Sequence, residues 1–551
     1  MTSVETIDFD QVFGEIAERL RKDQDRRIKP PLTRIFDADG VFIGEVHNEI
    51  SAKFTLPENE TGIGTIELPA RYYLSKWLTN HDDRNTDNVI ITVDKDGARW
   101  SGMLDDLEQY KGEDGQRIVK ATFKSDFEHL KHILTYSNPF LPPEIQFPRL
   151  WILFGPAKWA LKTTLFVNLL RLQGLDGLWT LPDDPVDPEG WFDLDQSNWG
   201  HVVAPLSITD DNSQFAIVHS RWKYFFDVQK RITADAQLTW EPRRFLEGDP
   251  PPWPGANLRP GTIVWDLVDN SGWDTETSFG GNLFTGLVRA FTSIGSDGMA
   301  EGIDVIDDPT FPAEYSIPGW KGTIPRAPGI ILRDGDRTGI QSNSFHWKPA
   351  TDTEFATGGH SMPGVNELIS ATINMVGDLI AAALFIPPVG GMADALLKPL
   401  YTDVFLAFMK WQDIGRAQRL GWQHYFETWC EGSDRAYTLS ALIALRTGMW
   451  RTREQTTHSV TVADGVEGLL IGQNGYGNAW LGTRIGTTVK DWGKPGRVYV
   501  ERITELVLAW DRETTPAWTI TVGHREPEDP VQEALEMLQE ISSIARDLGV
   551  A

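Results

Sequence analysis

The chain has 551 residues, 41% of them hydrophobic and 23% charged, with a formal charge of −27 and an isoelectric point near 4.8. Its length exceeds what one core supports and predicts roughly three to five units, while its negative charge excludes a protein that grips nucleic acid by neutralising phosphates. A single cysteine, Cys430, excludes an internal disulfide framework and a multi-cysteine zinc site.

The start, MTSVETIDFD, has no basic segment followed by an apolar one, so synthesis in the cytoplasm without a secretory signal is expected. In the N-terminal segment 1–32, Phe9, Val12, Phe13, Ile16 and Leu20 share one face ahead of Pro30 and Pro31. That spacing predicts an amphipathic helix that docks on a neighbour. From Thr33 the pattern becomes strand and turn: RIFDADG, VFIGEV, IGTIELP, NVIITVDKDGARWSGMLDDLEQY and QRIVKATFKS. Asp96-Gly97 reads as a two-residue hairpin turn and GEDG at 112–115 as the next, so 33–135 is expected to be a small antiparallel barrel or sandwich. His129 and His132 are three apart on an expected helix, but no third ligand lies nearby, which favours an exposed helical face over a metal site.

Residues 136–215 form a Pro- and Trp-rich middle segment with one expected helix at 159–172. Its acidic run offers Asp183, Asp184, Asp187, Glu189, Asp193 and Asp195 as hard oxygens for calcium. The run lacks the EF-hand order of ligands and its central glycine, so a solvated loop is expected. A helix at 221–231 and the strands AQLTW and GTIVWDLV make 216–350 a mixed α+β region.

The segment 351–454 is read as helical, and within it lies the most apolar stretch of the chain, 365–411. Leu368, Ile369, Ile373, Val376, Leu379, Ile380 and Leu384 recur at helical spacing before Pro387, Pro388, Gly390 and Gly391 break the run, which predicts two helices and a turn. The run is too short for a bilayer crossing of roughly 20 apolar residues. Burial in one subunit's core, burial between subunits and conditional membrane contact remain open. Leu379, Leu384, Phe385, Ile386, Leu396, Leu397, Phe405 and Phe408 form the candidate interface set, because burying each large side chain is worth about 1.5–3 kcal/mol. Helix is expected to continue over 414–429, and AYTLSALIALRTGMW reads as a last helix. Strands return in THSVTVADG, TVKDW, RVYVERITELVLAWD and AWTITVG, predicting a second small β domain at 455–526. In the C-terminal helix 527–551, Ala534, Leu538, Ile541, Ala545 and Leu548 follow heptad spacing for about two heptads, fewer than a coiled coil needs.

No catalytic motif is complete. Ser361, after Gly359 and His360, resembles a nucleophile elbow, but Pro363 replaces the later glycine and TDTEFATG is a poor buried strand. GPAKWALKTT lacks the glycine that a phosphate loop needs before Lys162. Carboxylate pairs are too many to choose among, and the 22 tryptophans are expected in cores and subunit contacts. The expectation is a protein that is not an enzyme and has no cofactor and no metal.

The pieces GTIELPARYYLSKWL, NVIITVDKDGARWSGML, LLKPLYTDVFLAFMKW, AYTLSALIALRTGMW and RVYVERITELVLAWDRE, ending in WTITVG, resemble in number and order the tail hub or minor tail proteins of long-tailed phages of actinobacteria. The resemblance spans most of the chain and matches 138–215 less well. It implies an α+β, mainly β multidomain protein with two antiparallel β-barrel tube-type domains, a mixed middle region and an apolar helical hairpin. It implies a homotrimer at the virion tail tip, assembled in the host cytoplasm, whose six barrels continue the tail tube. Implied partners are the distal tail protein ring, the tape measure protein and other minor tail proteins. Genomic DNA would pass through without specific binding, and contact with the host envelope would be transient. Closure of the tube by the apolar set is an inference added to the resemblance. The rivals are a tail-associated cell-wall hydrolase, supported by peptidoglycan turnover, and a carbohydrate-binding adhesin, supported by saturable binding to wall glycan.

Overall fold

A computed structural model describes residues 9–175, 192–271, 304–306, 330–359, 408–431 and 439–523, less a few loop positions within them, together with Val186. It resolves into two compact units, drawn from 1–286, 303–345 and 458–525 for the first and from 287–302, 346–457 and 526–551 for the second.

In the first unit, α1 (Phe9–Ile28) precedes β1 (Leu32–Asp37), β2 (Phe42–Glu45), β3 (Ser51–Pro57), β4 (Ile63–Pro69), α2 (Tyr73–Thr79), β5 (Val89–Lys95), β6 (Ala98–Lys111) and β7 (Arg117–Ser125). The alternation read in the sequence is the alternation built: Phe54, Ile66, Leu68, Ala121 and Phe123 all point into one core, as the two-residue period of a strand requires. Asp96 and Gly97 join β5 to β6 with φ of 49° and 76°, the positive pair that a type I′ hairpin demands. The Lys95 ammonium donates to the carbonyls of Arg27 and Lys29 at 2.7 and 3.2 Å, anchoring the end of α1.

A 3₁₀ helix (Asp126–His132) leads into β8 (Leu134–Thr135), β9 (Trp151–Pro156), α3 (Ala157–Leu169), β10 (His201–Val203), β11 (Phe215–Ser220), β12 (Lys223–Tyr224), α4 (Phe225–Asp235), β13 (Thr239–Arg244) and β14 (Ile263–Val268). One core holds Leu130, Leu161, Leu165, Val218, Phe225, Trp240 and Trp265 together. The boundary drawn at 215/216 in the sequence falls at the start of β11, whose partner is β9, and residues on both sides of it share this core.

The remaining strands of the path are β15 (Asp304–Ile306), β16 (Ile330–Leu332) and β17 (Ile340–Lys348), followed much later by β21 (Gln455–Val462), β22 (Arg484–Thr487), β23 (Val498–Asp511) and β24 (Ala517–Gly523). They join the first β segment in one 14-stranded sheet, ordered β17-β21-β24-β23-β3-β4-β7-β6-β5-β1-β2, with β15 and β22 attached to β23 and β16 to β22. The protein is therefore mainly β with few helices. Where the sequence suggested two barrels, the described strands of both segments lie on a single open path.

The second unit corrects the sequence reading. Between β17 and β21 come β18 (Asp352–Gly358), β19 (Phe408–Gln412), α5 (Ile414–Leu420), β20 (Tyr425–Trp429) and α6 (Leu439–Arg451). TDTEFATG, read as a poor buried strand, is the central strand of a three-stranded sheet β19-β18-β20, with Phe355 fully buried against Leu445 and Met449 of α6. Its threonines are tolerated because their hydroxyls are satisfied: Thr357 donates to the Cys430 carbonyl at 2.8 Å and Thr353 to the Phe426 carbonyl at 3.1 Å. Helix was expected through Trp411 and over 414–429. Instead helix occupies only Ile414–Leu420, ended by Gly421 at φ 81°, and its flanks are aromatic-rich strands.

Candidate functional site

The feature that organises the first unit is a seam. β3 and β23 pair antiparallel from Ser51 with Asp511 to Pro57 with Glu505, so chain segments near the two ends of the sequence share one ladder. Leu506, Leu508 and Trp510 on β23 meet Phe54 and Ala52 on β3 in the common core. The Phe54 ring stacks on Trp510 with centroids 5.7 Å apart and leans on Trp100 at 4.9 Å. The polar handles of these indoles are occupied: Trp100 donates to the Thr55 carbonyl at 2.9 Å and Trp510 to Glu49 at 2.8 Å.

The turn after β3 makes a three-way tie. Glu58 accepts from Arg502 of the late β segment and from the Thr239 hydroxyl at 2.9 Å. Asn59 donates to the Leu238 carbonyl at 2.7 Å and accepts from the Trp240 amide at 2.8 Å. A second tie joins the first β segment to β13, where Asp126 is fully enclosed and takes both Arg244 Nη2 at 2.5 Å and Nε at 3.2 Å, with the Ser101 hydroxyl also donating. Burial pushes the Asp126 carboxyl up, but the Arg244 charge outweighs it and holds it below the usual carboxylate range. Arg99 pairs with Asp94 and with Asp249. These long-range groups carry no local sequence signal, and the sequence reading missed all of them.

The candidates named from sequence separate on inspection. His132 is exposed, while His129 packs edge-on against His201 at 4.7 Å. His201 accepts from the Trp265 indole at 3.2 Å, and burial depresses it to about 3. It is a neutral, partly buried histidine packed against the rings of His129 and Trp265. Asp193 and Asp195 cap backbone amides of Asp195 and Ser197 at 2.9 and 3.0 Å. The other acids of that run lie outside the described residues. Among the described residues, no group of three His, Cys, Asp or Glu side chains is placed to hold a metal ion. Lys162 of the phosphate-loop lookalike donates to Asp266 at 2.6 Å. The first amides of α3 are taken by Ser213 and Asp211 at 3.0 and 2.7 Å, so that helix start is capped by the protein itself.

Of the candidate interface set, Leu379, Leu384, Phe385, Ile386, Leu396, Leu397 and Phe405 lie outside the described residues, as do Ser361 and the segment 527–551, where a helix was expected. Phe408 lies on β19, 55% exposed and edge-on to Trp429. Beyond it, Trp411, Trp422, Tyr425 and Phe426 are also exposed.

Compared with known proteins, the chain is 40% identical over 591 aligned positions to the minor tail protein Gp28 of Mycobacterium phage L5, covering 98% of each. It is equally similar, with the same coverage, to the minor tail protein Gp28 of Mycobacterium phage D29. The tail protein from Neisseria meningitidis MC58 aligns over 90% of this chain and 97% of its own, at 10% identity and a TM-score of 0.36. The molecule is a structural minor tail protein of a siphophage, a component of the virion tail. It belongs to the Siphovirus ReqiPepy6 Gp37-like protein family, whose pattern matches residues 32–524.

Proposed function

We propose that the chain is the trimeric hub of the tail tip, in which two β modules from each copy form a ring of six that continues the tail tube. The observation that supports this reading is the seam: two β segments far apart in sequence lie edge to edge, one built on β3 to β7 and the other on β21 to β24. Two modules set in one sheet path in each chain give six in a trimer. The net charge of −27 suits a conduit, because a negative protein does not retain a phosphate backbone. The partners of such a hub are the distal tail protein ring, the tape measure protein and other minor tail proteins.

Imaging of assembled particles tests this reading. Three copies around the tail axis with their β modules at near-sixfold positions are expected, and a single copy on the axis overturns it. The apolar stretch 365–407, outside the described residues, is assigned to closing the distal end on its sequence alone. Leu384→Asp should then block trimer formation or tail completion, because a buried unpaired carboxylate is strongly unfavourable. An assembled trimer with Leu384 far from the axis and from every neighbour would remove that assignment.

A further inference from the structure

Within one chain a β module is already joined to a second, and the manner of joining indicates what is missing elsewhere. The hairpins β6–β7 and β23–β24 are counterparts in register. Leu104 faces Phe123 and Ile503 faces Val522, while Asp106 faces Thr122 and Glu505 faces Thr521, each residue 399 positions from its counterpart. Both hairpins skip one residue of a 14-residue strand at the same place, Asp105 in one and Thr504 in the other. Such a bulge is a specific device rather than a default of strand pairing, so its repetition marks two copies of one module.

The two hairpins differ on one side. Opposite β24, β23 is covered by β3 from Glu505 to Asp511. Opposite β7, β6 is covered by β5 only from Ala98 to Met103. Over 106–111, the counterpart of most of the stretch that β3 covers, no described strand lies alongside β6 on the side away from β7. At the far end of the path, β17 stands to β21 and β24 as β3 stands to β4 and β7. It too has no described strand on its outer side.

An edge of this kind is a template for strand addition, and its side chains select the partner. Asp106 and Glu108 are exposed on β6, so pairing with the same edge of another copy sets like charges face to face, which is unfavourable. Over 340–345, β17 reads IQSNSF and carries no charge. We propose that the open side of β6 over 106–111 is the docking edge for β17, over 340–345, of a second copy of this chain, added antiparallel as β3 is added to β23. The inference rests on the trimeric reading above and names the strands that join its copies. Each chain offers one edge of each kind, so the contact is head to tail and closes only as a ring.

The test places Glu108→Cys together with Gln341→Cys, Ser342→Cys or Ser344→Cys in the full chain, three partners that cover both faces of β17. The native Cys430 is buried and adds little background. After mild oxidation, at least one pair is expected to give covalent species of two and three chains and none larger, while either cysteine alone gives at most dimers. A wild-type trimer by mass photometry with no ladder from any pair overturns the edge assignment and leaves the trimer standing. Ladders beyond three chains keep the edge and overturn the trimer. A monomer without cross-links overturns both.

Discussion

Asp126 and Arg244 form a buried pair whose two halves are unequal in risk. Arg244→Ala leaves the enclosed carboxylate without its main partner, and the expected loss is about 3–5 kcal/mol, read as a lowered urea midpoint for the first unit. Replacing both residues by apolar side chains, Asp126→Leu with Arg244→Met, should cost less than the single change, because no buried charge is then stranded. His458 supplies a pH dependence. It is buried, with Nε2 donating to Asn343 at 2.9 Å and Nδ1 accepting from the Thr487 hydroxyl at 3.2 Å, and burial lowers it from 6.5 to about 4. Since the folded value is the lower one, the unfolded chain takes up the proton first as pH falls. Stability is then full above about 6.5, declines through the window down to about 4 and levels below it, by at most about 1.4 kcal/mol per pH unit. In His458→Gln this part of the slope should vanish from melting curves taken between those values. None of these residues stood out in the sequence, because a histidine that packs as a neutral core group reads the same as one that binds a metal.

At the scale of elements, legibility followed the range of the interaction that decides each one. The β5–β6 turn was legible because Asp-Gly between apolar runs has a local cause. Gly97→Ala should cost about 1–3 kcal/mol for the positive φ alone, and more in practice, since the new methyl would run into the Gln473 carbonyl. A drop in melting temperature measures it. The strands of 408–429 were illegible because the helical period of the preceding apolar stretch was carried across Phe408, Trp411 and Trp429, whose partners on β18 lie about fifty to seventy residues upstream. Buried threonines hid β18 itself, since their cross-strand hydrogen bonds cannot be counted before the strands are paired. The seam was the least legible element. Its core is nevertheless specific, and Phe54→Ala should cost about 3–5 kcal/mol, with the Trp510 emission shifting to the red as its stacking partner is lost.

For the molecule as a whole, the sequence conveyed a mainly β chain with two strand-rich segments and a mixed middle, but not that the two segments share a sheet. The charge makes one plain prediction: duplex DNA at physiological salt should not be retarded by the purified protein in a gel, and a salt-sensitive shift would argue for a basic surface that the net charge conceals. The seam also sets a schedule. Pro57 and Glu505, which pair at one end of it, are about 450 residues apart, and a ribosome adds roughly 5–20 residues per second. The outer edge of β3 therefore waits roughly 20–90 s after it is made before its neighbour exists. During synthesis the early module is a half-finished sheet in a crowded polysome, where nascent copies of the same strand are the nearest alternative partners. Chains cut short before β23 should be recovered mainly with chaperones or as aggregates, and supplying the missing C-terminal segment in trans should rescue part of them.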